Sequence, residues 1–138
     1  MHKKKFNNND QVKFSKLSGD LNPIHLDQSY AANTLFQKIV VHGLNIVIWS
    51  LEKVIPSNIK NIIRIKINFL KIVYLNEEIS LNVIKKNKNE IQIIIKSKIE
   101  EKIIIKTFIS NKKIFFKRNI HNLNYNKKII LKKKKNIY

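Results

Sequence analysis

Asp20 and His25 stand five positions apart in a stretch with little freedom to rearrange, Ser18-Gly19-Asp20-Leu21-Asn22-Pro23-Ile24-His25-Leu26-Asp27. An imidazole takes up and returns protons near neutrality, and a carboxylate can hold and polarise a water molecule. Gly19 admits left-handed backbone angles, while Pro23 fixes its own φ and drives Asn22 extended. Taken singly, each residue has an ordinary explanation. Asp20 and Asn22 are common Asx-turn residues, and a lone histidine is more often a satisfied structural group than a catalyst. Together, in one constrained turn, Asp20 and His25 are the candidate acid and base. Asp27 reads better as the cap of a following helical turn.

The composition around this turn is unusual for the chain. Among 138 residues there are 26 Lys, 27 Ile and 19 Asn, but two each of Gly, Ala, Pro and Arg. Lys, Ile and Asn share AT-rich codons, so a biased genome accounts for the profile, including most of the formal charge of +19. Against that background, Gly19, Pro23, Ala31, Ala32 and Gly43 fall between positions 19 and 43, leaving only Pro56 outside. The segment needs special backbone angles or close approach. The basic residues are nearly all Lys, whereas base-edge recognition favours the Arg fork, so the charge does not imply specific nucleic-acid binding.

The remaining bounds are broad. The length suits one domain, and the absence of cysteine excludes disulfides and thiolate metal sites. No apolar run approaches a membrane span, and the segment Met1 to Asn7 is basic then polar, unlike a secretory leader. A cytoplasmic protein without membrane association is expected.

The elements that must hold the turn follow from periodicity. Phe6 is expected in a short first strand. Asn8, Asn9 or Asp10 is expected to cap a helix carrying Val12, Phe14 and Leu17. From Gly43 to about Ile55, Leu44, Val47, Ile48, Leu51 and Ile55 recur at helical spacing, widened by Ile46 and Trp49, which predicts a largely buried helix ended by Pro56-Ser57-Asn58. The period then becomes two. Ile63, Ile65, Ile67 and Phe69 share one face; so do Ile79, Leu81 and Val83, then Ile91, Ile93 and Ile95, then Ile103, Ile105 and Ile109. Asn87-Lys88-Asn89, Glu100-Glu101 and Asn111-Lys112 are expected turns, and Ile114 to Lys117 would extend the last strand. A buried helix followed by an antiparallel meander makes an α+β domain whose sheet wraps one helix. Residues 1–118 form that domain, and 119–138 are a basic tail, terminal strand or linker.

The run from Phe14 to Asp27, followed by Phe36 and Ile39-Val40-Val41-His42-Gly43 ahead of the helix, resembles the hydratase-2 signature of the MaoC-like, (R)-specific enoyl-CoA hydratases and dehydratases. The resemblance implies a hot-dog fold and hydration of a trans-2-enoyl thioester, with Asp20 and His25 sharing one water. It also implies an acyl-CoA or acyl-carrier-protein substrate, no cofactor beyond the pantetheine of that substrate, and a homodimer or dimer of dimers. Developing enolate charge needs a preorganised donor, which the Gly43 N–H can supply at the first turn of the helix. Asn22 and Ser18 are the other substrate-binding candidates, more simply read as residues that orient the loop. His42 divides evenly between shaping the start of the helix and contacting ligand. Tyr30, Phe36 and Trp49 are expected in the core or lining a tunnel, and no metal is expected.

The chain departs from the family in three places. Gln37 stands where glycine is common, Pro56-Ser57-Asn58 where a Gly-Pro-Gly-like loop is frequent, and Ile72 where proline is frequent. The alternatives are a hot-dog thioesterase, whose helix carboxylate could here only be Glu52, and a non-catalytic acyl-thioester binding module.

Overall fold

The computed structural model describes residues 2–55, 61–98 and 100–110. The chain runs from β1 (Lys3–Lys5) into α1 (Asn8–Ser18), a 3-10 turn (Pro23–His25), α2 (Gln28–Ala32) and α3 (Gly43–Val54). It continues through β2 (Asn61–Phe69), β3 (Glu78–Asn87), β4 (Glu90–Ser97) and β5 (Glu100–Ser110). The strands form one sheet in the order β1-β3-β4-β5-β2, and every pair is antiparallel. The meander β3-β4-β5 lies between β1 and β2, which are therefore the edges among the described residues.

α1 is capped by Asn7, one residue before the expected candidates. Asn7 Oδ1 accepts from the Asp10 N–H at 3.0 Å, and Asp10 Oδ2 accepts from the Asn7 N–H at 3.0 Å, a reciprocal capping box. The expected apolar stripe needs correction. Phe14 is buried, but Leu17 is 79% exposed, and Gln11 and Ser15 occupy the covered side. The reason is polar: Gln11 Nε2 donates to the carbonyls of His25 and Val40 at 3.1 and 3.0 Å, so this side of α1 faces backbone acceptors as well as apolar side chains. Asp27 caps α2, its Oδ1 accepting from the N–H groups of Ser29 and Tyr30 at 2.8 and 3.0 Å.

The core lies between α3 and the inner face of the sheet. Ile46, Val47 and Trp49 pack with Phe6, which follows β1, and with Ile79, Leu81, Ile91, Ile93, Ile95, Ile103, Ile105 and Ile109. Register stacks these isoleucines: Leu81, Ile95 and Ile103 align across β3, β4 and β5, and Val83, Ile93 and Ile105 form the next row. Each fully buried isoleucine contributes about 1.5–3 kcal/mol. α3 is covered on one side only, with Leu44 and Ile48 more than half exposed. β2 departs from the expected alternation at Ile63, where the register shifts between Ile62 and Arg64, and Ile63, Ile65 and Phe69 are exposed on this edge strand.

The first hairpin turn falls at Lys88 and Asn89 as expected. The second includes Lys98, at φ 53°, instead of Glu100-Glu101, which begin β5. Those glutamates are ion-paired: Lys96 with Glu101 at 3.3 Å, and Lys102 with Glu100 at 2.7 Å. Lys102, nearly buried, also meets Glu77 at 3.2 Å, and its carbonyl accepts from the N–H groups of Leu70 and Lys71. Lys71 pairs with Glu100 as well. Hydrogen bonds from Lys102 and then Lys71 push the Glu100 carboxyl down to about 2. This knot anchors the Leu70–Val73 loop, which matters for the site.

Among the described residues no helix is long and apolar enough to cross a membrane. The expectations for Pro56-Ser57-Asn58, Asn111-Lys112, Ile114 to Lys117, the boundary at 118 and the tail 119–138 lie outside the described residues.

Candidate active site

The loop after α1 is wound by short-range hydrogen bonds. Gly19, at φ 77°, ends the helix with its N–H on the Ser15 carbonyl at 2.8 Å. Ser18 Oγ donates to the Phe14 carbonyl and accepts from the Asp20 N–H at 3.2 Å. Asp20 Oδ1 accepts from the Asn22 N–H at 3.2 Å, and Asn22 Oδ1 accepts from the Ile24 N–H at 3.0 Å. The Asx-turn explanation of Asp20 and Asn22 is therefore correct, and it leaves Asp20 Oδ2 outside the turn. Asn22 caps the 3-10 turn and does not line the cavity described below, whereas Ser18 does.

His25 Nδ1 lies 2.7 Å from the Val40 carbonyl. A carbonyl can only accept, so Nδ1 carries the proton and the neutral ring keeps its lone pair on Nε2. That atom is 3.8 Å from Asp20 Oδ2, beyond hydrogen-bond range. Two acceptor sites thus stand side by side without consuming one another. The Val40 carbonyl also receives Gln11 Nε2, which makes Gln11 a support of the site that periodicity missed. Its sequence signal is the spacing of Gln11, Phe14 and Ser15 on one helix side.

His42 joins the same group. Its Nε2 is 3.2 Å from the Asp20 carbonyl and 3.9 Å from Asp20 Oδ2, and its ring stacks on His25 with centroids 3.9 Å apart. Burial, followed by the charge His25 can carry, lowers the His42 pKa below the usual imidazole value; its contacts with Asp20 oppose that shift. Donor atoms of Asp20, His25 and His42 lie within 4.8 Å of one another.

Asp20, His25, His42 and Gly43 open onto one cavity of about 570 Å³, walled otherwise by Ser18, Lys71 and mostly apolar side chains including Phe14, Ile46, Phe69 and Ile103. The anchored Leu70–Val73 loop forms part of the wall, so Ile72 borders the site. α3 has no side-chain N-cap bond, and although the Asn45 N–H reaches the His42 carbonyl at 3.0 Å, the Gly43 N–H at the start of the helix keeps donor capacity. Tyr30 and Phe36 are corrected from the expected core or tunnel positions: both are over two-fifths exposed and neither lines the cavity, whereas Trp49 is buried. Gln37 holds φ 59° in the left-handed region, which explains why glycine is common there and costs about 1–2 kcal/mol for an L side chain. Glu52 is exposed, paired with Lys53 at 3.2 Å, and away from the cavity.

The pattern that defines the MaoC-like domain matches residues 2–107, most of the chain. The chain belongs to the MaoC-like family. Short stretches of this MaoC-like chain match characterised relatives. It is 44% identical over 41 residues to the (R)-specific enoyl-CoA hydratase of Aeromonas caviae and 45% identical over 42 residues to the 3-hydroxybutyryl-CoA dehydratase of Methylorubrum extorquens. Each match covers 30% of this chain, and they span only 31% and 27% of the two relatives. The fold resembles the solved (R)-hydratase of A. caviae, with a TM-score of 0.66, 20% identity and coverage of 80% of this chain and 92% of that one. It likewise resembles an R-hydratase of Pseudomonas aeruginosa, with a TM-score of 0.67, 21% identity and coverage of 78% and 76%. The sheet and central helix are those of the hot-dog fold.

Proposed function

We propose that this MaoC-like domain is a hydro-lyase that reversibly hydrates a trans-2-enoyl thioester to the (R)-3-hydroxyacyl thioester, with Asp20 and His25 as the working pair. The observation that carries this reading is the pairing of two uncommitted atoms, His25 Nε2 and Asp20 Oδ2, 3.8 Å apart at the wall of one largely apolar cavity. Water held by Asp20 and His25 attacks C3. The proton it releases passes through the pair to C2, so the elements of water add across the double bond with no other reactant. Charge developing on the thioester oxygen is met by the Gly43 N–H at the positive end of α3. The test is hydration of crotonyl-CoA by the purified chain, followed as loss of the conjugated enoyl absorbance. Absence of turnover, in both directions and with several chain lengths, would leave a binding module instead. The thioesterase alternative is disfavoured because Glu52 is remote from the cavity.

Substrate carriers are anionic, and the chain is strongly basic. Long-range attraction acts on encounter more than on the chemical step. Raising ionic strength is therefore expected to increase KM for an enoyl-CoA while kcat changes little. A fall of kcat with unchanged KM would contradict that account. Tight, salt-sensitive oligonucleotide binding by a chain without thioester turnover would favour the nucleic-acid reading.

The working unit is a homodimer, or a dimer of dimers, in which two subunits border each cavity. Leu44 and Ile48 on α3, with Ile63, Ile65 and Phe69 on the edge strand β2, leave apolar surface uncovered in one chain. Phe69 belongs both to this surface and to the cavity wall, so the site reaches the region a second copy would cover. Light scattering at assay concentration should give at least a dimer. A fully active monomer would contradict this.

A further inference from the structure

We infer that His42 is the positioning residue of the site: its buried imidazole fixes the Asp20 loop, the His25 ring and the start of α3 relative to one another. The inference rests on the hydratase reading above and assigns His42 a role within it. His42 occupies the N-cap position of α3, yet its side chain makes no capping bond. The ring instead turns toward the loop after α1, where it is only 2% exposed. Nε2 lies 3.2 Å from the Asp20 carbonyl and, because a carbonyl only accepts, must carry the proton. The plane of the ring covers His25 at 3.9 Å and 28°, and Phe14 packs against it at 5.0 Å. The next residue is Gly43, whose N–H is the proposed oxyanion donor. One side chain therefore touches the backbone of the water-holding residue and the ring of the base, and adjoins the donor that meets the developing enolate charge.

The same geometry keeps this ring out of proton traffic. Its Nδ1 is buried and has no hydrogen-bond partner among the described residues. A second proton there would create a buried donor without an acceptor, in a ring stacked on His25. The titratable groups that face it are Asp20 and His25, and Lys71 lines the same cavity. Asp20 favours the charged ring, while burial and His25 oppose it and prevail. His42 consequently serves as a fixed donor, and of the two imidazoles only His25 exchanges protons.

Two amide substitutions separate reach from polarity. The amide nitrogen of glutamine falls near the position of imidazole Nε2, and that of asparagine near Nδ1. His42→Gln should keep the bond to the Asp20 carbonyl and stay within about tenfold of the parent in kcat. His42→Asn should lose that bond and fall about 10²-fold in kcat, as expected for a misplaced catalytic group, with KM for crotonyl-CoA little changed. Equal activity of the two variants, or a loss confined to KM, overturns the inference. Nitrogen-15 NMR of the unmutated protein adds a test independent of how the variants fold. His42 should show the neutral Nε2–H tautomer at about pH 7–8, and an Nδ1–H tautomer or protonation in that window overturns the inference. If the parent itself fails to hydrate enoyl thioesters, the functional reading falls, and the NMR result still decides the state of His42. If Asp20→Ala and His25→Ala are inactive while His42→Asn matches the parent, only the positioning role fails.

Discussion

Asp20→Ala and His25→Ala are each expected to lower enoyl-thioester hydration by about 10²–10⁴-fold, the range of a lost general acid or base. The double variant should be little worse than either single one, because residues that act through one shared water lose their joint function at the first deletion. Folding should survive in both. Asp20 is about half exposed, so solvent can replace its bond to the Asn22 N–H. Loss of His25 leaves the Val40 carbonyl still paired with Gln11 Nε2, so no buried acceptor is orphaned. Steady-state rates and thermal melts on the three variants check both halves. Turnover near that of the parent in either single variant would sink the assignment.

Gly43→Ala should separate activity from stability. A Cβ at this position would sit 2.7 Å from Phe69 Cε1 and 3.2 Å from Cζ, so the ring must move. Phe69 is 54% exposed and can swing outward, while alanine suits a helix better than glycine by up to about 1 kcal/mol. The two effects on stability oppose one another, and the melting temperature should change little. The site has no such compensation. Phe69 and Gly43 both line the cavity, and the proposed oxyanion donor is the Gly43 N–H itself. Disturbing one such donor costs about 10²–10³-fold in kcat. Gly43→Ala is expected within that range, and a rate unchanged from the parent would remove Gly43 from the mechanism. Full restoration of the rate in Gly43→Ala/Phe69→Ala would instead assign the loss to the displaced ring.

Much of the site is visible in the sequence because its key bonds are local. The Ser18 to Asp27 turn closes through side-chain contacts two residues apart, Asp20 to Asn22 and Asn22 to Ile24, and its residues carry those preferences wherever they stand. The cap Asp27, the helix from Gly43 and the four isoleucine-rich strands are likewise written in nearest-neighbour chemistry and periodicity. Gln37 shows the limit of that logic. Its left-handed backbone is imposed by the surrounding loop, since a glutamine does not select it.

Tertiary structure decided the rest. Ile63 and Ile93 look alike in their strands, but Ile63 is 59% exposed and Ile93 fully buried, because Ile63 falls at a register shift in the edge strand β2 while β4 is central. Leu17 fits a helical stripe and points to solvent, while Gln11 is buried beneath it, because the surface α1 meets includes backbone carbonyls as well as apolar side chains. The tautomer of His25 depends on the Val40 carbonyl, and the stacking of His42 on His25 brings together residues seventeen positions apart. Sequence alone determined which groups could exchange protons and the turn that presents them, since those follow from side-chain type and short-range bonding. Which lone pair is free, which imidazole is buried and which apolar faces remain uncovered were set only when distant segments packed, because each depends on the partner that occupies the neighbouring space.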